Sequence, residues 1–201
     1  LTLFKMDAAT EAVVVEMGMR GMGQIAYLAD LAKPTMGVIT NIGLTHLELL
    51  GTQAAIAAAK AELIQALPVS GWAILNADDP LVAPMASQCK GGSLFYSLQQ
   101  GSDLSRPSSA LFLVDATTKA ASEEVTVDGR WGKFRFTLPL LGRHNIANAL
   151  AAATASLALG LTTEEAARGL QKATTAEKRL RIVEVDGITV LDDTYNASPA
   201  S

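Results

Sequence analysis

The sequence predicts an α/β protein: a mostly parallel sheet flanked by helices, with a small antiparallel β subdomain attached. Three observations lead there. In the first half, short runs rich in Val, Ile and Leu alternate with segments of helical length, the arrangement of βαβ units. From about residue 110 the texture changes to short runs in which apolar and polar residues alternate, which suits antiparallel strands with one solvated face. Pro and Gly punctuate the segment boundaries.

Taken in order, residues 1–4 (LTLF) read as the tail of a helix or strand. Residues 12–17 (AVVVEM) are almost continuously apolar, the pattern of a strand covered on both faces. The turn GMRGMG follows at 18–23, then a helix over 24–32 that Pro34 stops. MGVITNI at 36–42 is a second buried strand, and the loop at 43–51 carries THLE. Thr52 caps an Ala-rich helix over 53–67 that ends before Pro68. WAILN at 72–76 is a third strand, Asp78-Asp79-Pro80 opens a short helix toward Gln88, and SLFYS at 93–97 is a fourth strand.

Residues 99–109 form a polar Gly/Ser/Pro loop. Three short runs within 110–140, with a turn at Asp128-Gly129, make the antiparallel subdomain. Helices are expected over 145–159 and 163–172, the latter capped by Thr162 or Thr163. The runs 180–185 and 188–191 flank Asp186-Gly187 as a β-hairpin.

The chain has 201 residues, 49% of them hydrophobic and 18% charged, enough for one large or two small domains. A net charge of −4 gives no electrostatic reason to expect a nucleic acid or an anionic membrane as partner. The single cysteine, Cys89, forms no internal disulfide, so a reducing cytoplasm is the expected compartment. Cys89 lies in SQCKGG with no histidine beside it, which argues against a catalytic thiol. No apolar run reaches the ~18 residues of a membrane helix, and the first residues do not read as a signal peptide. A chain that starts with Leu and stops at NASPAS is read as a piece of a longer protein.

In an open parallel sheet, ligands bind beyond the carboxyl ends of the strands. Glu16 closes the first apolar run and His46 lies in the loop after the second. If those runs are neighbouring parallel strands, both residues face one crevice. A carboxylate after an apolar run is costly to bury unless paired or metal-bound, so Glu16 is a metal ligand or one half of a structural ion pair. His46 with Glu48 suits a metal ligand and its orienting carboxylate, or a plain hydrogen-bonding loop. Lys60 is either a solvated charge paired with Glu62 or another neighbour, or a lysine turned into the crevice. A metal there would be a hard ion such as Mg²⁺ sharing oxygens with phosphates, since the donors do not make a zinc site.

GMRGMG can offer backbone N–H groups to an anion or can simply be a tight turn. It is neither a dinucleotide fingerprint nor a P-loop, and GRWGKF at 129–134 has the wrong spacing and Phe in the hydroxyl position. Asn145 reads as a helix N-cap beside His144 and Asn148. DDTYNASP at 192–199 puts Asp192, Asp193, Tyr195 and Asn196 in a polar turn.

In this order, EMG, GQIAYLADLAKPTMGVITNIGLTHLELLG, AAKAELI, ILNADDP, LGRHNIANALAA, RL and VLDDTYNASP resemble the Mur ligase family. Within it they are most similar to the branch that adds D-alanyl-D-alanine to UDP-N-acetylmuramoyl-tripeptide. The resemblance implies a central ATPase domain over 1–191, with 110–140 as its antiparallel subdomain and 192–201 starting a hinge toward a C-terminal domain. It implies ATP-dependent amide bond formation through an acyl phosphate, in peptidoglycan precursor synthesis, with ATP and Mg²⁺ as cofactors and a monomer favoured.

By the same resemblance, Glu16 holds the Mg²⁺ that bridges the ATP phosphates and His46 a second Mg²⁺. Lys60 is the lysine carbamylated by CO₂, which turns a cation into an anion able to support that second metal. Asn145, with His144, contacts adenine. Arg179 lies near the phosphates, Asp193 near ribose and phosphates, and Thr40 and Asn41 touch substrate. The family's P-loop does not occur in these residues, so the 201-residue chain is expected to bind ATP weakly and to be inactive by itself. NASP in place of the more usual NANP is a minor departure. A sister Mur ligase or a folylpolyglutamate synthase is the competing enzyme reading, and a non-catalytic ATPase-like interaction module the competing non-enzyme one. The joint presence of Glu16, His46, Lys60, Asn145, Arg179 and Asp193 argues against the module.

Overall fold

The computed structural model describes residues 3–43, 50–99, 110–174 and 181–192. The chain divides into two compact units, Leu1–Ser97 and Leu98–Ser201.

The first unit is built on three parallel strands: β1 (Met36–Ile39), β2 (Trp72–Asn76) and β3 (Gly92–Ser97), with β2 between the others. Val38 pairs with Ile74, and Ile74 with Leu94. Parallel neighbours need a crossover, and helices supply it. α1 (Gln24–Ala32) precedes β1, α2 (Gln53–Gln65) joins β1 to β2, and a 3₁₀ helix at Ala83–Gln88 lies between β2 and β3.

Ala73, Ile74 and Leu75 are completely buried, as expected for a central strand covered on both faces. Ile56, Ala59, Ala61 and Ile64 of α2 join Ile25 of α1, Ile39, Ile42, Leu67, Val82 and Met85 in one apolar core. The helix ends follow their local signals. Thr52 Oγ1 accepts the Ala55 N–H at 3.1 Å as the N-cap of α2. α1 stops at Ala32, with Lys33 left-handed at φ 48° just ahead of Pro34.

Two strand expectations are corrected. Residues 12–17 form no strand, and Val14 is 92% exposed. An apolar run becomes a strand only through a hydrogen-bonded neighbour, and among the described residues none pairs with this one. The run expected over 36–42 is a strand only to Ile39. Beyond it, the main chain of Thr40, Asn41 and Ile42 bonds to side chains instead of to a ladder.

The second unit contains the antiparallel meander β4 (Ala110–Thr118), β5 (Glu123–Gly129) and β6 (Phe134–Leu138). α3 (Arg143–Ala158) packs on β4 and on α4 (Thr163–Leu170), and α4 packs on β6. The turn expected at Asp128-Gly129 falls later. Gly129 still pairs with Leu111, and the chain reverses at residues 130–133, where Gly132 has φ 82°. Thr162 and Glu165 complete a reciprocal capping box at the start of α4. β7 (Arg181–Val185) and β8 (Ile188–Asp192) form the expected hairpin, and Asp186 and Gly187 both have positive φ, as a type I′ turn requires. Among the described residues no helix is long and apolar enough to cross a membrane.

Candidate active site

The polar side chains of the first unit gather at the carboxyl ends of its parallel strands. Their focus is main chain. Thr40 O accepts from Asn76 Nδ2 at 2.8 Å and from the Tyr96 hydroxyl at 3.3 Å, so the ends of β2 and β3 both hold the exit of β1. The Ile42 N–H donates to Asp79 Oδ2 at 2.8 Å, and Ile42 O accepts from Gln53 Nε2 at 2.9 Å. With their main chain fixed this way, Thr40 and Asn41 present exposed side chains at the strand end.

Lys60 belongs to this cluster. From the middle of α2 its ammonium donates to Asn41 O at 3.0 Å and is half-buried. Burial pushes its pKa below the usual lysine value, and the charge of Asp79 partly opposes that. The alternative pairing with Glu62 is corrected: positions two apart on a helix do not face each other. Burial pushes the Tyr96 phenol up, reinforced by Asp78 and Asp79, so it remains a neutral hydrogen-bond donor.

Glu62 does different work. It is buried, and its two oxygens accept the Gly23 N–H at 2.6 Å and the Ala26 N–H at 3.0 Å. α1 begins at a glycine with no side-chain cap of its own, and a carboxylate from α2 supplies one. Within the GMRGMG turn, the Gly23 N–H is engaged by this internal carboxylate and the Arg20 N–H by Gln24 Oε1 at 2.7 Å, so the turn serves as a tight helix entry. Glu16, in the extended segment before it, has an exposed side chain. His46 lies outside the described residues, as do Glu48, Arg179, Asp193, Tyr195 and Asn196. Among the described residues, no group of three His, Cys, Asp or Glu side chains is arranged to hold a metal ion.

In the second unit, the N-cap of α3 is Gly142, so the N-cap expectation for Asn145 is corrected. Asn145 sits one turn in, half-buried, and its Nδ2 donates back to Leu141 O at 2.8 Å. The exposed His144 ring lies so close to Gly142 that a Cβ there would come within 2.9 Å of it. Glu123, buried at the start of β5, fixes this entry by accepting the Gly142 N–H at 3.1 Å and the Thr118 hydroxyl at 2.9 Å. Cys89 is a half-buried free thiol that donates weakly to Gly92 O.

Asn76, Tyr96 and Glu123 shape these sites without a local signal in the sequence, and Glu62 is legible there only as a partner for Lys60. Asp79 does carry a signal. As the residue before Pro80 it was read as a helix opener, and its Oδ1 does accept the N–H groups of Leu81 at 2.8 Å and Val82 at 3.2 Å.

Parallel strands joined through helices, with polar groups gathered at their carboxyl ends, define a ligand-binding α/β domain. The chain belongs to the Mur ligase middle domain family, which matches residues 1–156. A curated relative from Bacillus subtilis, UDP-N-acetylmuramoyl-tripeptide–D-alanyl-D-alanine ligase, is 36% identical over 202 aligned residues, which cover 100% of this chain and 42% of the relative. Among solved structures, MurF from Acinetobacter baumannii superposes with a TM-score of 0.81 at 29% identity, covering 91% of this chain and 39% of that one. MurF from Thermotoga maritima, in complex with ADP, gives a TM-score of 0.76 at 26% identity, covering 92% of this chain and 41% of that one. The chain thus spans about two fifths of the length of the relatives it matches.

Proposed function

We propose that this chain is the nucleotide-handling part of an ATP-dependent ligase that joins D-alanyl-D-alanine to UDP-N-acetylmuramoyl-tripeptide in the cytoplasm. The observation that carries the reading is Lys60. A half-buried ammonium at the carboxyl end of a parallel sheet, held on a main-chain oxygen between strand ends, is an arrangement for chemistry more than for solubility. Alignment over all of this chain, and 42% of a relative named for that substrate pair, supports the choice of substrates.

The chemistry of the donors supports Mg²⁺. Glu16 offers an exposed carboxylate, a hard oxygen donor. An ammonium cannot ligate a cation, so Lys60 serves only after its amine has added CO₂ and lost a proton, giving a carbamate anion. Burial favours the neutral amine that this addition needs. Glu16 would hold one Mg²⁺, and His46 with carbamylated Lys60 a second; each would screen phosphate charge when bound. ATP supplies the phosphoryl group that turns the substrate carboxylate into an acyl phosphate, which the amine of D-alanyl-D-alanine then attacks. Thr40 and Asn41 orient the substrate at the strand end. The resemblance assigns His144 and Asn145 to adenine, Arg179 to the phosphates, and Asp193 to ribose and phosphates.

Phosphate release by the whole protein, measured with each candidate pair of substrates, tests this. Release is expected to require both UDP-N-acetylmuramoyl-tripeptide and D-alanyl-D-alanine. Lys60→Ala should abolish it, and an added short-chain carboxylic acid should restore part. Wild-type turnover by Lys60→Ala without rescue, or turnover with a folate or a single amino acid instead, would overturn the assignment.

A further inference from the structure

We propose that Asp79 is a positioning residue for Lys60, acting through the single peptide group that joins Asn41 to Ile42. That group is held from both sides. Its N–H, on Ile42, donates to Asp79 Oδ2 at 2.8 Å, and its carbonyl, on Asn41, accepts from Lys60 Nζ at 3.0 Å. The two bonds strengthen each other, because a carboxylate drawing on the amide N–H polarises the peptide and makes its oxygen a better acceptor. The carboxylate is itself fixed, since its other oxygen holds the N–H groups of Leu81 and Val82. Ile42 is buried and Lys60 half-buried, while Asn41 between them is exposed, so solvent is excluded mainly from the Asp79 side of the relay.

A lysine side chain has many rotamers, and ordering it costs entropy that one neutral acceptor offsets only if that acceptor does not move. Asn76 and Tyr96 steady the preceding carbonyl, at Thr40. Asp79 alone, among the described residues, grips the peptide on which Lys60 rests. Its position after β2 thereby carries the geometry of one strand end to a lysine on the helix that follows another. The consequence for catalysis rests on the assignment of Lys60 in the preceding subsection; the anchoring itself does not.

Asp79→Asn separates the two jobs of this carboxylate. Asn caps a turn as well as Asp does, so the oxygen serving Leu81 and Val82 is kept. Its NH₂ then faces the Ile42 N–H, donor against donor, and the anchor is lost. In the whole protein, hydrogen exchange at the Ile42 amide is expected to be about tenfold faster or more in Asp79→Asn, with Leu81 and Val82 unchanged. In uncarbamylated protein carrying ¹³Cε-lysine, prepared free of CO₂, the two Hε resonances of Lys60 should merge as its ammonium is released. The maximal ligation rate should fall by roughly tenfold or more while the KM for D-alanyl-D-alanine stays within about twofold. Asp79→Ala should show the same changes and also lose protection at Leu81 and Val82. Unchanged Ile42 exchange and unchanged Lys60 resonances in Asp79→Asn would overturn the proposal and leave Asp79 a cap. Changed exchange and resonances with a normal ligation rate would uphold the anchoring and instead overturn the catalytic assignment of Lys60.

Discussion

Removing the carboxylate of Glu62 tests how the first unit is tied together. Glu62→Ala deletes the acceptor for two backbone N–H groups, on Gly23 and Ala26, at 2.6 and 3.0 Å. Hydrogen bonds to a charged group contribute about 1.5–3 kcal/mol each. Gly23 and Ala26 are themselves exposed, so water partly replaces the lost acceptor, and the low end of that range applies to each. The α1 dipole also loses its counter-charge, worth about 0.3–1 kcal/mol. A total of about 3.5 kcal/mol is expected. Glu62→Gln retains one acceptor oxygen and should lose about half as much. Urea unfolding monitored alongside hydrogen exchange in α1 reads both quantities, and the urea slope should be unchanged if only native stability moves. A Glu62→Ala protein within about 0.5 kcal/mol of the wild type would refute the capping argument. So would a Glu62→Gln protein as unstable as the alanine variant.

Other expectations follow from the same contacts. The lowered pKa of Lys60 means that the unfolded chain binds its proton more tightly, so this residue costs stability at neutral pH. That cost fades as pH rises through the lowered value toward the unfolded 10.5, so the urea midpoint of wild type relative to Lys60→Met should improve from pH 7 toward 10. A difference independent of pH would refute it. Gly142→Ala combines φ 99° with a Cβ 2.9 Å from the His144 ring, and should lower stability by about 1–2 kcal/mol and weaken nucleotide binding, read by denaturation and by titration with ADP. Thr162→Ala removes one half of the capping box and should cost about 1 kcal/mol in the second unit, seen as faster exchange in the first turn of α4.

The features legible in the sequence are those whose cause is local. Thr52, Pro34, Thr162 (of the two threonines offered) and Asp186-Gly187 act on backbone within a few residues, and each ends or starts its element as expected. Residues 12–17 were misread because hydrophobic pattern records a capacity for burial and says nothing of who pairs with whom. The site was half legible. Lys60 stood out as a charge on an Ala-rich helix, but the bonds that define its surroundings join residues far apart in the chain. Glu62 reaches back 39 and 36 residues, Asp79 reaches back 37 and Tyr96 reaches back 56. A periodicity reading has no access to such pairings, and buried polar residues such as Glu123 are then taken for surface ones.

The oxygen beneath Lys60 belongs to the backbone of Asn41, and the atoms that steady its neighbours also grip backbone. Replacing the side chain at position 40 or 41 therefore alters what an incoming molecule meets without disturbing where the amine sits. If the proposed roles hold, recognition by the Thr40 and Asn41 side chains and the seating of the Lys60 amine rest on different atoms, so point substitution at 40 or 41 would retune the choice of partner and leave the amine in place.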